Sequence, residues 1–260
     1  MSYETLQFTI KEMAAYITLN RPDRLNAFDL KLGHELYEVL QDVRKNHNIK
    51  TVIIKGTGRG FCGGGDVKEM YAAIDKSQFL RDLTRSIHRC VIEMRSMEKP
   101  IIAGVNGSAF GAGLSLALAC DIIIAVKDAK LSTAFIGIGL APGCGTQFVT
   151  KLIGYQRACE HLLTSKIFTA EEAFQLGMIN EVVDTDKLDV AIENVVSAFR
   201  TLPPLAVGKA KMLINKSLDN DLISHLELES KTAAWSAGTE DFIEGISAFV
   251  EKRKPIFKGK

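Results

Sequence analysis

No apolar run in this chain reaches the roughly 20 residues that a membrane-spanning helix needs. An excess of one charge is missing too: 32 basic and 31 acidic residues leave a net charge of +1. Nucleic-acid binding draws on concentrated basic surface to displace counterions, so that class is set aside. The only dense basic patch, Lys252, Arg253, Lys254, Lys258 and Lys260, is large enough to meet one phosphate group. The five cysteines (Cys62, Cys90, Cys120, Cys144, Cys159) contain no C-x-x-C pair. Their odd count argues against a disulfide frame or zinc site and for free thiols in a reducing compartment. The histidines, His34, His47, His88, His161 and His225, are scattered, so no metal site is expected. No basic-then-apolar leader is visible near Glu4, and Lys258-Gly259-Lys260 is not a peroxisomal address. The expected location is cytoplasmic. No G-K-[ST] occurs, and Gly56-Thr57-Gly58-Arg59-Gly60-Phe61 lacks the final glycine of G-x-G-x-x-G, so phosphate-loop and dinucleotide readings fail.

What is present is a chain of 260 residues, 47% hydrophobic, long enough for a sizeable core. Leu6–Ile10 and Ala14–Leu19 read as a strand hairpin. Leu32, Leu36, Val39, Leu40 and Val43 recur at helical spacing, which predicts an amphipathic helix over Asp29–Lys45. Thr51–Lys55, Ile101–Val105 and Ile122–Val126 are short apolar runs typical of strands buried on both faces. Helices are expected over Phe79–Met97 and Leu114–Ala119, and from Gln147 onward. Thr169 with Glu172 forms a capping box, and Thr239 is a plausible N-cap for the last helix. Pro203-Pro204 marks a boundary, dividing a core of residues 1–200 from a helical, oligomer-forming region of residues 201–260. The lone tryptophan, Trp235, reads as core or as a wall closing an acyl pocket, and is assigned to the core by default.

Two units repeat a theme. Ile53-Ile54-Lys55-Gly56 leads to Gly63-Gly64-Gly65, and Ile102-Ala103-Gly104 leads to Gly111-Ala112-Gly113. Glycine after a buried strand lets backbone approach a ligand, and a following helix offers unpaired N–H groups. Two such loops facing one point would supply a pair of donors to a carbonyl oxygen. Read singly, either loop is an ordinary tight turn; the repetition favours a site.

With these loops the chain resembles the crotonase family, also called the enoyl-CoA hydratase/isomerase family. The resemblance rests on Leu19-Asn20-Arg21-Pro22 through Asn26-Ala27-Phe28, Phe61-Cys62-Gly63-Gly64-Gly65-Asp66, Lys99-Pro100 through Gly107, Gly111-Ala112-Gly113 through Cys120-Asp121, and Glu244-Gly245 through Arg253. It implies an α/β fold: a spiral of repeated ββα units with a C-terminal helical appendage. It implies an enzyme that binds a coenzyme A thioester and stabilises its enolate, with the N–H groups of Gly65 and Ala112 as the oxyanion hole. Coenzyme A would be held by Arg24, Leu25, Ala27, Asp66, Val67 and Lys68, and its 3′-phosphate by Lys252 or Lys258, sometimes from a neighbouring subunit. Each of these lysines reads equally as solvated surface charge. The resemblance further implies a homotrimer or a dimer of trimers, with no resident cofactor or metal.

The acids that hydratases and isomerases of the family use are absent at their matching positions, which hold Ser115, Phe135 and Gly143. General acid–base groups contribute about 10²–10⁴-fold each, so ordinary hydration is expected to be weak. Remaining proton-transfer candidates are His88, Ser115 and Cys144. Dehalogenating relatives carry a catalytic histidine on the helix of His88; the plainer readings are an ordinary hydrogen-bonded histidine, a helix serine bonding its own backbone and an inert thiol. Three functions remain: an enoyl-CoA isomerase or hydratase-like enzyme, an acyl-CoA-binding protein without turnover, and a thioester hydrolase using the same donors.

Overall fold

The computed structural model describes residues 3–260. The chain opens with an antiparallel hairpin, β1 (Leu6–Lys11) and β2 (Ala14–Leu19). Helix α1 (Leu30–Lys45) begins where Asp29 accepts the N–H of Leu32 at 2.7 Å, and it buries the five predicted apolar positions. Then the pattern repeats. Strand β3 (Thr51–Gly56) is followed by β4 (Gly60–Cys62) and helices α2 (Val67–Ala72) and α3 (Lys76–Ser96). Strand β5 (Ile101–Val105) is followed by β6 (Ser108–Phe110) and α4 (Ala112–Leu118). Strand β7 (Ile122–Val126) is followed by β8 (Lys130–Ser132), α5 (Thr146–Ile153) and α6 (Tyr155–Thr164).

Each turn therefore gives its first strand to one sheet and its second to another. The larger sheet runs β1-β2-β3-β5-β7-β10, with β10 at Glu181–Val183; all pairs after the hairpin are parallel. The smaller runs β4-β6-β8-β9, with β9 at Phe168–Thr169. This is the expected spiral of ββα units. Strands β3 and β5 are almost wholly buried because their runs pack on both faces. The three-residue strands of the smaller sheet and the six-residue α2 escape sequence reading, being too short to show a period.

Helix α7 (Ala170–Gln175) starts on the predicted Thr169–Glu172 capping box. Helices α8 (Leu188–Thr201), α9 (Pro204–Ser217), α10 (Leu222–Ala237) and α11 (Glu240–Glu251) complete the chain. Lys211 fastens α9 to the core: its Nζ lies 2.7 Å from Asp121 and donates to the carbonyls of Met94 and Lys99, both at 2.9 Å. Trp235 departs from its core assignment. It is 48% exposed on α10, with Lys209 Nζ 4.7 Å from its ring centre. A single aromatic carries no periodic signal, so its burial depends on a partner the sequence does not show. None of the described helices is long and apolar enough to cross a membrane.

Candidate active site

The turns before α2 and α4 press together, backbone against backbone. A Cβ on Gly113 would stand 2.1 Å from the carbonyl oxygen of Cys62, and one on Gly107 2.2 Å from that of Arg59. Gly64, at φ +101°, would bring a Cβ 3.0 Å from the Phe110 carbonyl and 3.8 Å from the nitrogen of Ala112. Glycine is the residue that permits both the close approach and the positive φ.

Peptide planarity then sets where the donors point. In a trans peptide, C=O and N–H face opposite ways. The Gly64 carbonyl accepts the N–H of Phe28 at 2.6 Å, so the Gly65 N–H points away from Phe28. The Gly111 carbonyl accepts the Ser115 N–H and hydroxyl, both at 3.1 Å, so the Ala112 N–H points out from the start of α4. Ala112 is the first residue of that helix and has no intrahelical acceptor. Among the described residues, neither N–H donates to a protein acceptor. Two adjacent free donors can hold one oxygen on which negative charge develops.

Around them the sequence candidates divide. Arg24, Leu25 and Ala27 lie on a loop whose Leu25 carbonyl accepts the Gly63 N–H at 2.8 Å, so this segment borders the donors, next to Asp66, Val67 and Lys68. Arg24, Val67 and Lys68 are exposed. Asp66 is buried, and its carboxylate is committed within the fold: it accepts the N–H groups of Lys68 (3.1 Å) and Glu69 (3.4 Å) and pairs with Arg21 at 3.0 Å. Lys252 and Lys258 sit on the C-terminal tail, where Asp241 accepts the Lys258 N–H at 2.6 Å. No hydrogen bond or ion pair among the described residues joins either lysine to the donor loops.

Ser115 lies in α4, Phe135 beside its N-cap Gly111, and Gly143 on the loop that reaches Ser115 at Gly145. Ser115 is buried, and a Cβ on Gly145 would stand 2.4 Å from its Oγ. The edge of Phe135 lies 3.7 Å from the Cβ position of Gly111. Gly143 passes so close to α3 that a Cβ there would be 2.9 Å from Thr84 Cγ2. His88, one helical turn further on, meets the Gly143 carbonyl at 2.7 Å through Nε2. A carbonyl only accepts, so this bond needs the proton on Nε2. Burial pushes the Cys144 thiol up from its ordinary pKa, so it is protonated at neutral pH. Of the nearby acids, Glu93 is held by Arg44, and Glu69, 3.8 Å from Arg21, is raised by burial and then by Asp29 and Asp66. Among the described residues no cluster of histidine, cysteine and carboxylate could hold a metal ion.

At the level of sequence, Arg21 and Asn26 are quoted within the family motif without a role of their own, and Thr84 is not singled out. The missed signal at Asn26 is conformational: Leu25 and Asn26 both take positive φ (52° and 56°), a turn that an asparagine tolerates.

The family model described as enoyl-CoA hydratase/isomerase matches residues 9–260. The 1,2-epoxyphenylacetyl-CoA isomerase of Escherichia coli is 37% identical over 94% of this chain and 94% of its own. A crotonyl-CoA hydratase of Syntrophomonas wolfei is 32% identical, covering 100% of both chains. The crystal structure of an enoyl-CoA hydratase from Bacillus anthracis superposes with a TM-score of 0.95 at 32% identity, over 99% of this chain and 100% of that one. The repeated ββα spiral, the two glycine loops and these matches place the chain in the crotonase, or enoyl-CoA hydratase/isomerase, family.

Proposed function

We propose that this protein is an acyl-CoA enzyme that holds the thioester carbonyl between the N–H groups of Gly65 and Ala112 and shifts a proton at the α carbon, acting as an enoyl-CoA isomerase more than as a hydratase. The paired, unsatisfied donors carry this reading. They stabilise the enolate oxygen as charge develops; removing one such donor elsewhere costs about 10²–10³ in rate. The segments Arg24–Ala27 and Asp66–Lys68 would take the coenzyme A, with Lys252 or Lys258 available for its 3′-phosphate. Coenzyme A enters as part of the substrate, and the step needs no resident cofactor. Ser115, Phe135 and Gly143 offer no carboxylate to activate water, which weighs against hydration. His88, Ser115 and Cys144 are the groups left to carry the proton. The relatives named above include a crotonyl-CoA hydratase and an isomerase of an epoxyphenylacetyl-CoA, so chains similar to this one carry both kinds of reaction.

The test is incubation with 2-enoyl- and 3-enoyl-CoA in D₂O, read by absorbance and mass spectrometry. Deuterium at the α carbon, with conjugated absorbance gained from the 3-enoyl substrate, is expected. No exchange and no absorbance change at any chain length would overturn it. The empty acid positions favour a second reading, a binding protein without turnover; binding with no exchange would select it. Release of free coenzyme A would instead identify a hydrolase.

We further propose a homotrimer or dimer of trimers built on α10 and α11. Ile223, Phe249 and Val250 there are 81%, 85% and 78% exposed, a concentration of apolar surface that suits burial between copies. Light scattering on the purified protein measures the assembly; a monomer would refute it.

A further inference from the structure

The peptides beneath Gly65 form a chain that begins at a cation. Arg21 Nη1 donates to the carbonyl of Ala27. The same peptide unit carries the Phe28 N–H, which donates to the Gly64 carbonyl at 2.6 Å. That peptide unit carries the Gly65 N–H. Because each trans peptide points its two polar groups oppositely, the guanidinium, the Phe28 N–H and the Gly65 N–H follow one another in a single direction. Hydrogen-bonded amides in series polarise one another, and a bond headed by an ionised donor is the stronger kind.

The head of this chain is fixed on every side. Arg21 Nη2 lies 2.9 Å from Asp29 and 3.0 Å from Asp66. The Asp66 N–H returns to the Phe28 carbonyl at 2.9 Å, so Phe28 is clamped on both faces of its backbone. The Arg21 N–H donates to Asn26 Oδ1 at 2.8 Å, and Asn26 Nδ2 reaches the carbonyls of Thr57 and Gly60, both at 2.9 Å. The Arg21 side chain is only 15% exposed, and every polar contact it makes is to the fold itself.

We propose that Arg21 is a positioning residue for the reaction: through the Ala27–Phe28 and Gly64–Gly65 peptides it orients and polarises the Gly65 N–H. The proposal rests on the reading of Gly65 as an oxyanion donor. Arg21→Lys tests it, because an ammonium keeps the charge but cannot span Ala27, Asp29 and Asp66 together. The readouts are kcat, KM and the red shift of a conjugated dienoyl-CoA on binding, which reports polarisation of its carbonyl. In the unchanged protein a red shift is expected. In Arg21→Lys the shift shrinks and kcat falls about 10-fold or more, short of the ~10²–10³ for complete loss of a donor, while KM stays nearly constant. Asp29→Asn keeps Arg21 and its Ala27 bond and weakens one anchor, so a smaller change of the same kind is expected, and it serves if Arg21→Lys does not fold. A full red shift with unchanged kcat in both variants would overturn the proposal, as would a change confined to KM. An unchanged protein that binds the dienoyl-CoA without a red shift, or does not bind it, would overturn the oxyanion-hole reading instead.

Discussion

Gly143→Ala is the smallest change that probes why position 143 carries no side chain. Its Cβ would sit 2.9 Å from Thr84 Cγ2, closer than two carbons approach without displacement. Overpacking of this kind costs about 1–3 kcal/mol. Replacing glycine returns about 0.4–1 kcal/mol by narrowing the unfolded ensemble, so a net loss of about 1–2 kcal/mol is expected. Thr84→Ser removes the offending methyl and keeps the hydroxyl, which donates to the Leu80 carbonyl at 2.8 Å. Alone it should cost no more than the ~0.8 kcal/mol of one buried methylene. The pair should then be coupled, the double variant being more stable than the sum of the singles by about 1 kcal/mol. Urea denaturation of the four proteins at one fixed concentration measures this. Thermal midpoints should move by about 2–4 °C per kcal/mol in a chain near this size. Additivity within about 0.5 kcal/mol would show that the two side chains do not compete, and the steric argument would fall.

Gly113→Ala should be worse than Gly143→Ala, because its Cβ would meet the backbone of Cys62 at 2.1 Å; soluble yield and urea midpoint read the loss, and a stable variant would contradict the loop geometry. Lys211→Ala leaves Asp121 without its 2.7 Å partner and should destabilise by about 3 kcal/mol in the same urea assay. His161 is buried against Phe168, ring centres 3.6 Å apart, and burial lowers its pKa from 6.5. As pH falls through 6.5 the unfolded chain takes up the proton first, so stability is whole above that pH and is lost below it. His161→Phe should flatten the drop in urea midpoint between pH 7.5 and 5.5; an identical drop would exclude His161 as its source.

Much of this architecture could be read from local pattern. Runs such as Thr51–Lys55 announce buried strands because a strand packed on both faces has no polar alternation to hide it. The two glycine loops were legible for a related reason: closely packed backbone leaves a mark in glycine spacing, whereas the choice of Gly65 and Ala112 within them came from the family resemblance. Arg21 was not legible. Its meaning depends on Asp29 and Asp66 meeting one guanidinium, which needs the segments joined by the Phe28–Gly65 bridge and the Gly63–Leu25 bond. Thr84 stayed hidden likewise, since its contact with Gly143 joins α3 to the loop before α5, with four strands and α4 between them in sequence. Trp235 was misplaced because nothing local distinguishes a core tryptophan from one on an exposed helical face.

Donors made of backbone and proton carriers made of side chains obey different constraints, and Phe135 shows the consequence. The donors depend on peptide geometry and glycine, so replacing a neighbouring carboxylate leaves them in place. The replacement alters their surroundings. The Phe135 edge, 3.7 Å from the Cβ position of Gly111, puts apolar surface beside the donors. On the proposed reading of Gly65 and Ala112, an apolar ring there screens less than water would, so each N–H···O⁻ contact to the enolate would gain strength as charge develops. The same ring has no lone pair with which to activate a water molecule. Enolate stabilisation and hydration should therefore move in opposite directions at this position. Phe135→Glu should slow α-proton exchange with D₂O and raise hydration of a 2-enoyl-CoA, both followed by mass spectrometry on one sample. A rise in both rates would mean that exchange is limited by a missing base, and the argument from local screening would be wrong.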